Sequence, residues 1–370
     1  MKDKILGGIL GLCVADALGV PVEFNSRESL IKNPVTDMRG YGTYNQPPGT
    51  WSDDTSMTLC LLDSLTNGLD LSDIMHKFLA WMEKGEYTPH GVVFDIGIAT
   101  QKAIRKFANG TEPLLCGGKS EHDNGNGSLM RILPLVFYLV GVKNWKNEDE
   151  VYSIIHDISS LTHAHKRSLI ACGIYLSIAS EMICGKCNVK NGIYKAKKYY
   201  SGKAEYTDEI KHFQRIFDCN FRNLPQESIG SSGYVVHTLE AALWCLLNTN
   251  DYKSCVLKAV NLGEDTDTVA AVAGGLAGIM YGLKSIPDGW LNQIVRVDYI
   301  DELCAAYHVS LCKFGGKKRC ACVPCFGTIM FAQHNPYKDH PNEKLAIAWQ
   351  IKYDDPNPVG IVYQSEENEE

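Results

Sequence analysis

The chain has 370 residues, 45% of them hydrophobic and 21% charged, with a formal net charge of −7. That length allows one large domain or two ordinary ones with a buried core, and the composition is that of a soluble globular protein. A negative balance argues against unspecific attraction to phosphates or anionic lipid, so neither nucleic acid nor a membrane is an expected partner.

In chain order, the opening MKDKILGGILGLCVADALG combines basic residues, an apolar run and an Ala15-x-Ala17 pair, the outline of a short signal peptide. Asp16 falls inside the would-be cleavage motif and GVPVEF continues as folded chain, so the segment reads as part of the globule. Residues 55–66 place Met57, Leu59, Leu61, Leu62 and Leu65 at helical spacing and stop at Asn67-Gly68. Further apolar helices are expected over 166–184, 237–248, 252–263 and 268–283, while the Lys-rich stretch 186–227 reads as surface helices and loops. The run at 269–283 falls short of the ~20 residues that cross a bilayer. Short connections and few alternating β-branched runs predict an all-α globule over residues 1–309.

After about residue 310 the character changes. LAIAWQIKY (345–353) is apolar at period two, a turn and VGIVY follow, and TIMFAQ (328–333) is a third strand candidate. A small β-rich appendage over 310–363 is expected, then an acidic, disordered tail over 364–370. Its Cys320, Cys322 and Cys325, with His334 and His340 downstream, lack a second well-spaced pair, so packed or exposed thiols are preferred to a zinc site. Cys60, Cys172, Cys245 and Cys255 occupy apolar helical positions, as reduced thiols do, which favours a cytoplasmic location.

Two acidic stretches carry the chemistry. Ser52-Asp53-Asp54-Thr55 stands before an apolar helix, where oxygens cap orphan N–H groups and anions suit the positive end. GEDTDT (263–268) repeats the pattern with Glu264, Asp265 and Asp267. Positions i and i+2 of a helix point apart, so Asp265 and Asp267 converge only if the helix starts near Thr268. Oxygen ligands without imidazole or thiolate favour Mg²⁺ or Mn²⁺ over zinc, and two such ions ~3.5–4 Å apart would offset the clustered charge. The loop Asn124-Gly-Asn-Gly-Ser128 ahead of an apolar helix can aim backbone N–H groups at phosphate, or be an ordinary turn. Arg131 reads as a phosphate contact or, better, a salt bridge inside the bundle; His163 and Tyr234 read equally as core packing, and Glu23 alone as a surface carboxylate.

VADALGVPVEF (14–24), WSDDTSM (51–57), FDIGIATQKAI (94–104), NGNGSLMRILPL (124–135), LTHAHKRS (161–168), SSGYVVHTLEAALW (231–244) and GEDTDTVAAVAGGLAG (263–278) occur in the order seen in the ADP-ribosylglycohydrolases. The chain resembles that family over roughly residues 4–300, most of all its bacterial dinitrogenase-reductase-activating type. The resemblance implies an all-α enzyme with two Mg²⁺ or Mn²⁺ ions that hydrolyses the bond between ADP-ribose and a side chain, arginine-linked first of all. It matches Ser52, Asp53, Asp54, Asp265, Asp267 and Thr268 to metal ligands, and Glu23 and Asp95 to active-site carboxylates. It matches Asn126, Gly127 and Ser128 to a diphosphate and ribose loop, and His163 and Tyr234 to further substrate contacts. Catalysis is expected from Glu23 as base, with Asp53 or Asp54 as rivals, and from Asp95 on the leaving group. Ala15 and His237 depart from the family pattern, where Gly and Asp are common. The partner would be an ADP-ribosylated protein or a small molecule containing ADP-ribose. A non-catalytic ADP-ribose-binding module, a hydrolase of serine-linked or O-acetyl-ADP-ribose, and a different binuclear phosphoesterase are the competing readings.

Overall fold

Residues 2–19 form a helix that is apolar on every side, and it lies at the centre of the protein. The structure is a computed structural model that describes residues 1–185 and 188–315. Its longer helices are α1 (Lys2–Gly19), α2 (Asp53–Leu65), α3 (Leu71–Lys84), α4 (Ile98–Ala108), α5 (Pro134–Gly141) and α6 (Glu148–Ser160). They continue with α7 (Lys166–Ile183), α8 (Val189–Ser201), α9 (Val235–Leu247), α10 (Tyr252–Val260), α11 (Thr266–Tyr281) and α12 (Val297–Phe314). Short helical turns join them, and the described residues contain isolated β-bridges but no strand.

Peripheral helices follow the expected logic. In α3, Asp70 caps the first turn, Ile74, Met75, Phe78 and Trp81 form the buried stripe, and Gly85 ends the helix at φ 69°. Lys2–Val22 is long and apolar enough to cross a membrane, yet every residue from 5 to 22 is buried inside the protein. The segment that resembles a signal peptide is therefore the central core helix, and Asp16 is part of it.

The core of the arrangement is the α1–α11 pair, and small residues determine how close it sits. A Cβ on Gly11 would lie 2.6 Å from the Gly274 carbonyl oxygen, and one on Gly278 would run into the Gly7 carbonyl. The Ala15 methyl occupies the space that Gly274 leaves. A Cβ on Gly19 would overlap the backbone of Thr266 and Asp267, and the Thr266 hydroxyl donates to the Gly19 carbonyl at 2.9 Å. Backbone thus meets backbone along the pair, and the end of α1 touches the start of α11.

The last helix corrects the expected boundary. Ile300, Cys304, Tyr307 and Leu311 keep one buried stripe, so helical period runs past residue 309 and positions 310–314 are the end of α12. The remaining appendage, with its strand candidates and Cys320, Cys322, Cys325, His334 and His340, lies outside the described residues, as does the acidic tail.

Gly278→Ala is expected to destabilise the protein by about 1–3 kcal/mol in urea denaturation, because the added methyl meets backbone that has nowhere to move. Gly289→Ala, where the added carbon meets nothing within 4 Å, should change stability little. Equal effects at the two sites would contradict this account of the helix pair.

Candidate active site

Asp16 is a carboxylate with no exposure, on a helix whose surroundings are otherwise apolar. Its charge is met by the start of α2. The Ser52 N–H donates to Oδ1 and Oδ2 at 3.1 Å each, the Thr55 N–H to Oδ2 at 3.1 Å, and the Thr55 hydroxyl to Oδ2 at 2.6 Å. Orphan N–H groups at a helix start are the donors a buried anion needs. Ser52 itself caps α2, accepting from the Asp54 N–H at 3.2 Å. Capping is therefore done by Ser52 and Asp16, and the side chains of Asp53 and Asp54 are left for something else.

The second acidic start is held by loop stitching. The Phe24 N–H donates to the Glu264 carbonyl at 2.7 Å and the Glu264 N–H to the Asn25 carbonyl at 2.8 Å, so Glu23 is fixed beside Asp265. Arg27 fastens the same loop by donating to the Leu262 carbonyl at 2.7 Å and the Gln226 carbonyl at 2.8 Å. Helix α11 begins at Thr266, two residues earlier than expected, yet Asp265 and Asp267 still converge. The reason is that Asp265 is the cap residue, with φ −90° and ψ 77°, and does not obey the helical rotation.

Two clusters result. Asp16, Asp54 and Asp267 bring one carboxylate oxygen each within 4.8 Å of one another, and so do Glu23, Asp265 and Asp267. Asp267 belongs to both. Asp53 stands outside these triads, nearest in electrostatic effect to Asp95. Burial, then mutual repulsion, raises Asp53, Asp54 and Asp267 well above the usual carboxylate range. Burial, followed by the charge of Asp95, pushes Glu23 up to about 8; burial raises Asp16 to about 6 against its four hydrogen bonds. Buried oxygens of Glu23 (Oε2), Asp54 (Oδ1) and Asp265 (Oδ1) have no hydrogen-bond donor. A set of unpartnered, mutually repelling carboxylate oxygens on two triads fits a hard divalent cation better than any protein donor present. Ser52 and Thr268 stand at the same helix starts, the Ser52 hydroxyl 3.4 Å from Asp54 Oδ2 and the Thr268 N–H donating to Asp267 Oδ1 at 2.8 Å.

The structure places the other sequence candidates variously. Asp95 joins the cluster electrostatically, raised by burial and then by Asp265, with the Tyr44 hydroxyl acting to lower both Glu23 and Asp95. The side-chain nitrogen of Asn126 donates to Asp265 Oδ2 and Thr238 Oγ1, each at 2.9 Å, so it orients an acid of the site. Ser128 points into the core, accepting from the Ser159 hydroxyl at 2.9 Å beside Cys172. The Asn124–Ser128 loop does not open a helix, since α5 starts only at Pro134; the expected helix-dipole contribution is therefore missing there. Instead the loop pairs with residues 233–235, through Asn126 N–H to the Gly233 carbonyl and Val235 N–H to the Asn124 carbonyl, both at 3.0 Å.

Gly127 packs on His163, where an added Cβ would lie 2.8 Å from the ring. His163 is buried and held to about 3, chiefly by burial and then by Arg131, so it is neutral, with Nδ1 2.8 Å from the Thr162 hydroxyl. Tyr234 is half-buried beside the loop, its ring covered on one side by the Arg167 guanidinium at 5.7 Å. Arg131 does not make the expected salt bridge among the described residues: fully buried, it donates to the Gly127 and Ile158 carbonyls and lies over Phe78. His237, at a departure from the family pattern, has Nδ1 2.8 Å from the Ser232 hydroxyl and its ring edge-on to Tyr234. Cys60, Cys172, Cys245 and Cys255 are buried and free, as their helical positions suggested.

Two members of the site were missed as candidates. Asp16 had a signal, a lone carboxylate in an apolar helical run. Tyr44 had none, because its role depends on a loop folding back onto Glu23.

The family model described as ADP-ribosylglycohydrolase matches residues 1–313. Over 307 residues the chain is 31% identical to the ADP-ribosylarginine hydrolase Tri1 of Serratia proteamaculans, covering 81% of this chain and 78% of that protein. It is 31% identical over 298 residues to the ADP-ribosyl-[dinitrogen reductase] glycohydrolase of Rhodospirillum rubrum, covering 80% and 91% respectively. Among solved structures, one titled ADP-ribosylglycohydrolase-related protein complex superposes with a TM-score of 0.68 at 31% identity, covering 85% of this chain and 98% of its own.

The acid cluster predicts an unusual pH profile for the metal-free protein. A carboxyl whose pKa is higher folded than unfolded binds its proton more tightly in the native state, so stability falls as pH rises towards the folded value. For Glu23 that window extends to about 8. Between pH 6.5 and 8, above the range in which buried histidines titrate on unfolding, EDTA-treated protein should lose on the order of 1 kcal/mol per pH unit. Glu23→Gln should flatten the slope, and Mg²⁺ should raise the melting temperature more at pH 8 than at pH 6.5. A metal-free protein whose stability holds or rises over this interval would contradict the assigned electrostatics.

Proposed function

The chain belongs to the ADP-ribosylglycohydrolase family, and from that premise we propose that it removes ADP-ribose from arginine side chains of modified proteins with two Mg²⁺ or Mn²⁺ ions. The observation that carries the reading is the pair of buried acid triads sharing Asp267. The arginine linkage is supported by the relatives named for it at 31% identity.

Asp54 and Asp267, backed by Asp16, would hold one ion and Glu23, Asp265 and Asp267 the other, with Ser52, Asp53 and Thr268 completing the ligand sets. Bound there, divalent cations polarise ribose hydroxyls and lower the pKa of water. Asn126 keeps Asp265 aimed inward, and Asp16 keeps the start of α2 in register with α11. Glu23, with one oxygen free of donors, is suited to take a proton from the attacking water. Asp95, raised by burial and by the charge of Asp265, would orient the departing side chain. Carboxylates on the reacting face also favour the positive charge that develops at the anomeric carbon in an oxocarbenium-like transition state. Backbone around Gly127, the neutral His163 ring and Tyr234 form the adjoining wall for the remainder of ADP-ribose. Its buried, free thiols suit a reducing cytoplasm as the compartment.

Asp54→Asn and Asp265→Asn should each reduce hydrolysis of an ADP-ribosylarginine peptide by more than the 10–100-fold typical of an outer-sphere change, with the circular dichroism spectrum unchanged. EDTA should stop turnover and Mg²⁺ or Mn²⁺ restore it. The same assay run on Arg-, Ser-, Glu- and Cys-linked peptides, read by mass spectrometry, decides the linkage. Near-normal activity of both variants, or indifference to chelator, would end the metal-dependent reading.

A further inference from the structure

Phe24 is 70% exposed and non-glycine at φ 64°, two costs that folding alone does not explain. A bulky side chain in the left-handed region is strained, and such strain persists only where the surroundings impose it. Here they do, because the Phe24 N–H is tied to the Glu264 carbonyl and the Thr43 hydroxyl donates to the Glu23 carbonyl at 2.7 Å. The backbone that carries this exposed ring is therefore fixed, one residue after Glu23.

It does not stand alone. The Tyr44 ring lies 6.4 Å from it and 5.0 Å from Phe94, so Phe24, Tyr44 and Phe94 form an arc of three tilted rings. Each end of that arc is joined in sequence to an acid of the site, Glu23 before Phe24 and Asp95 after Phe94, and Tyr44 stands between them with its ring near both phenylalanines. The mouth thus alternates π faces with carboxylates.

The charge inventory says what this mouth attracts. Asp16, Glu23, Asp53, Asp54, Asp95, Asp265 and Asp267 make seven carboxyl groups gathered at these helix starts and the loops beside them. Among the described residues none of the seven forms a salt bridge, so the excess of carboxyl groups has no cationic side chain to offset it. A planar, weakly hydrated cation that can lie against rings while facing carboxylates is the complement, and guanidinium has that form.

We propose that Phe24, Tyr44 and Phe94, together with Asp95, form the subsite that grips the guanidinium of the modified arginine and so selects the arginine linkage. This rests on the hydrolase reading above and goes beyond it in naming the specificity residues. A neutral serine linkage gains nothing from either the ring faces or the excess charge.

The test uses the full-length protein with Mg²⁺ and the variants Phe24→Gly and Phe94→Leu. Both should raise KM for an ADP-ribosylarginine peptide by about tenfold, in the range of a partly desolvated cation–π contact. The dissociation constant for free ADP-ribose, which carries no guanidinium, should stay within twofold by calorimetry. Glycine relieves the strained φ, so Phe24→Gly should melt no lower than wild type. Unchanged KM in both variants, or an equal loss of ADP-ribose affinity, would overturn the subsite. Wild-type protein that cleaves only serine-linked peptide would instead overturn the arginine reading, which keeps the two failures apart.

Discussion

The close approach of α1 to α11 is the constraint on which the site depends. Gly7, Gly11, Gly274 and Gly278 remove every side chain that would hold these helices at the usual separation. Only then does the end of α1 reach the first turn of α11, with Gly19 against Asp267 and Asp16 one turn earlier. A single Cβ in that stripe pushes two backbones apart, and with them the only carboxylate that both triads share. Packing at the centre of the bundle therefore fixes chemistry at its end.

The same contact creates an electrostatic problem. Asp16 is satisfied by the amides and hydroxyl of the α2 start, which is the ordinary solution for a buried anion. Asp54, Asp265 and Glu23 are not, and each keeps an oxygen without a donor. Protein interiors tolerate few such atoms, because leaving one unsatisfied costs about 1–3 kcal/mol and more when it is charged. Their concentration in one place is destabilising for the empty protein and favourable for a bound cation, so stability and metal affinity are two readings of one arrangement.

How much of this the sequence discloses depends on the range of the interaction. Helix α2 shows itself through local spacing, and so does the family motif around it. The α11 start is misplaced by two residues because the deciding feature, the non-helical φ and ψ of Asp265, is conformational and leaves no compositional mark. Asn126 and Ser128 lie in the right loop, yet their side chains turn to Asp265 and to the core, respectively, a distinction set by residues more than thirty positions away. Arg131 was expected to meet an acid and meets carbonyls through its two terminal nitrogens, since a carbonyl oxygen accepts from a guanidinium as a carboxylate does. Tyr44 was invisible because its partners come from two other loops. Residue 309 was taken as a boundary from a compositional shift, while the buried stripe of α12 continues through it to Leu311.

The two triads differ in what carries them, and the difference bears on how one fold serves different linkages. Asp16, Asp54 and Asp267 sit on helix ends locked by main-chain packing. Glu23 and its neighbours Phe24, Tyr44, Phe94 and Asp95 sit on connecting segments, held by a few hydrogen bonds such as Phe24 N–H to Glu264 and Thr43 to the Glu23 carbonyl. Segments of that kind can change residues without disturbing the helices beneath them. The inner triad is thus placed to keep the ribose chemistry constant, while the ring-and-carboxylate mouth is where a different leaving group would be accommodated. A relative with the same glycine stripe and inner acids but aliphatic or polar residues at the positions of Phe24 and Phe94 should, on this logic, favour an uncharged linkage.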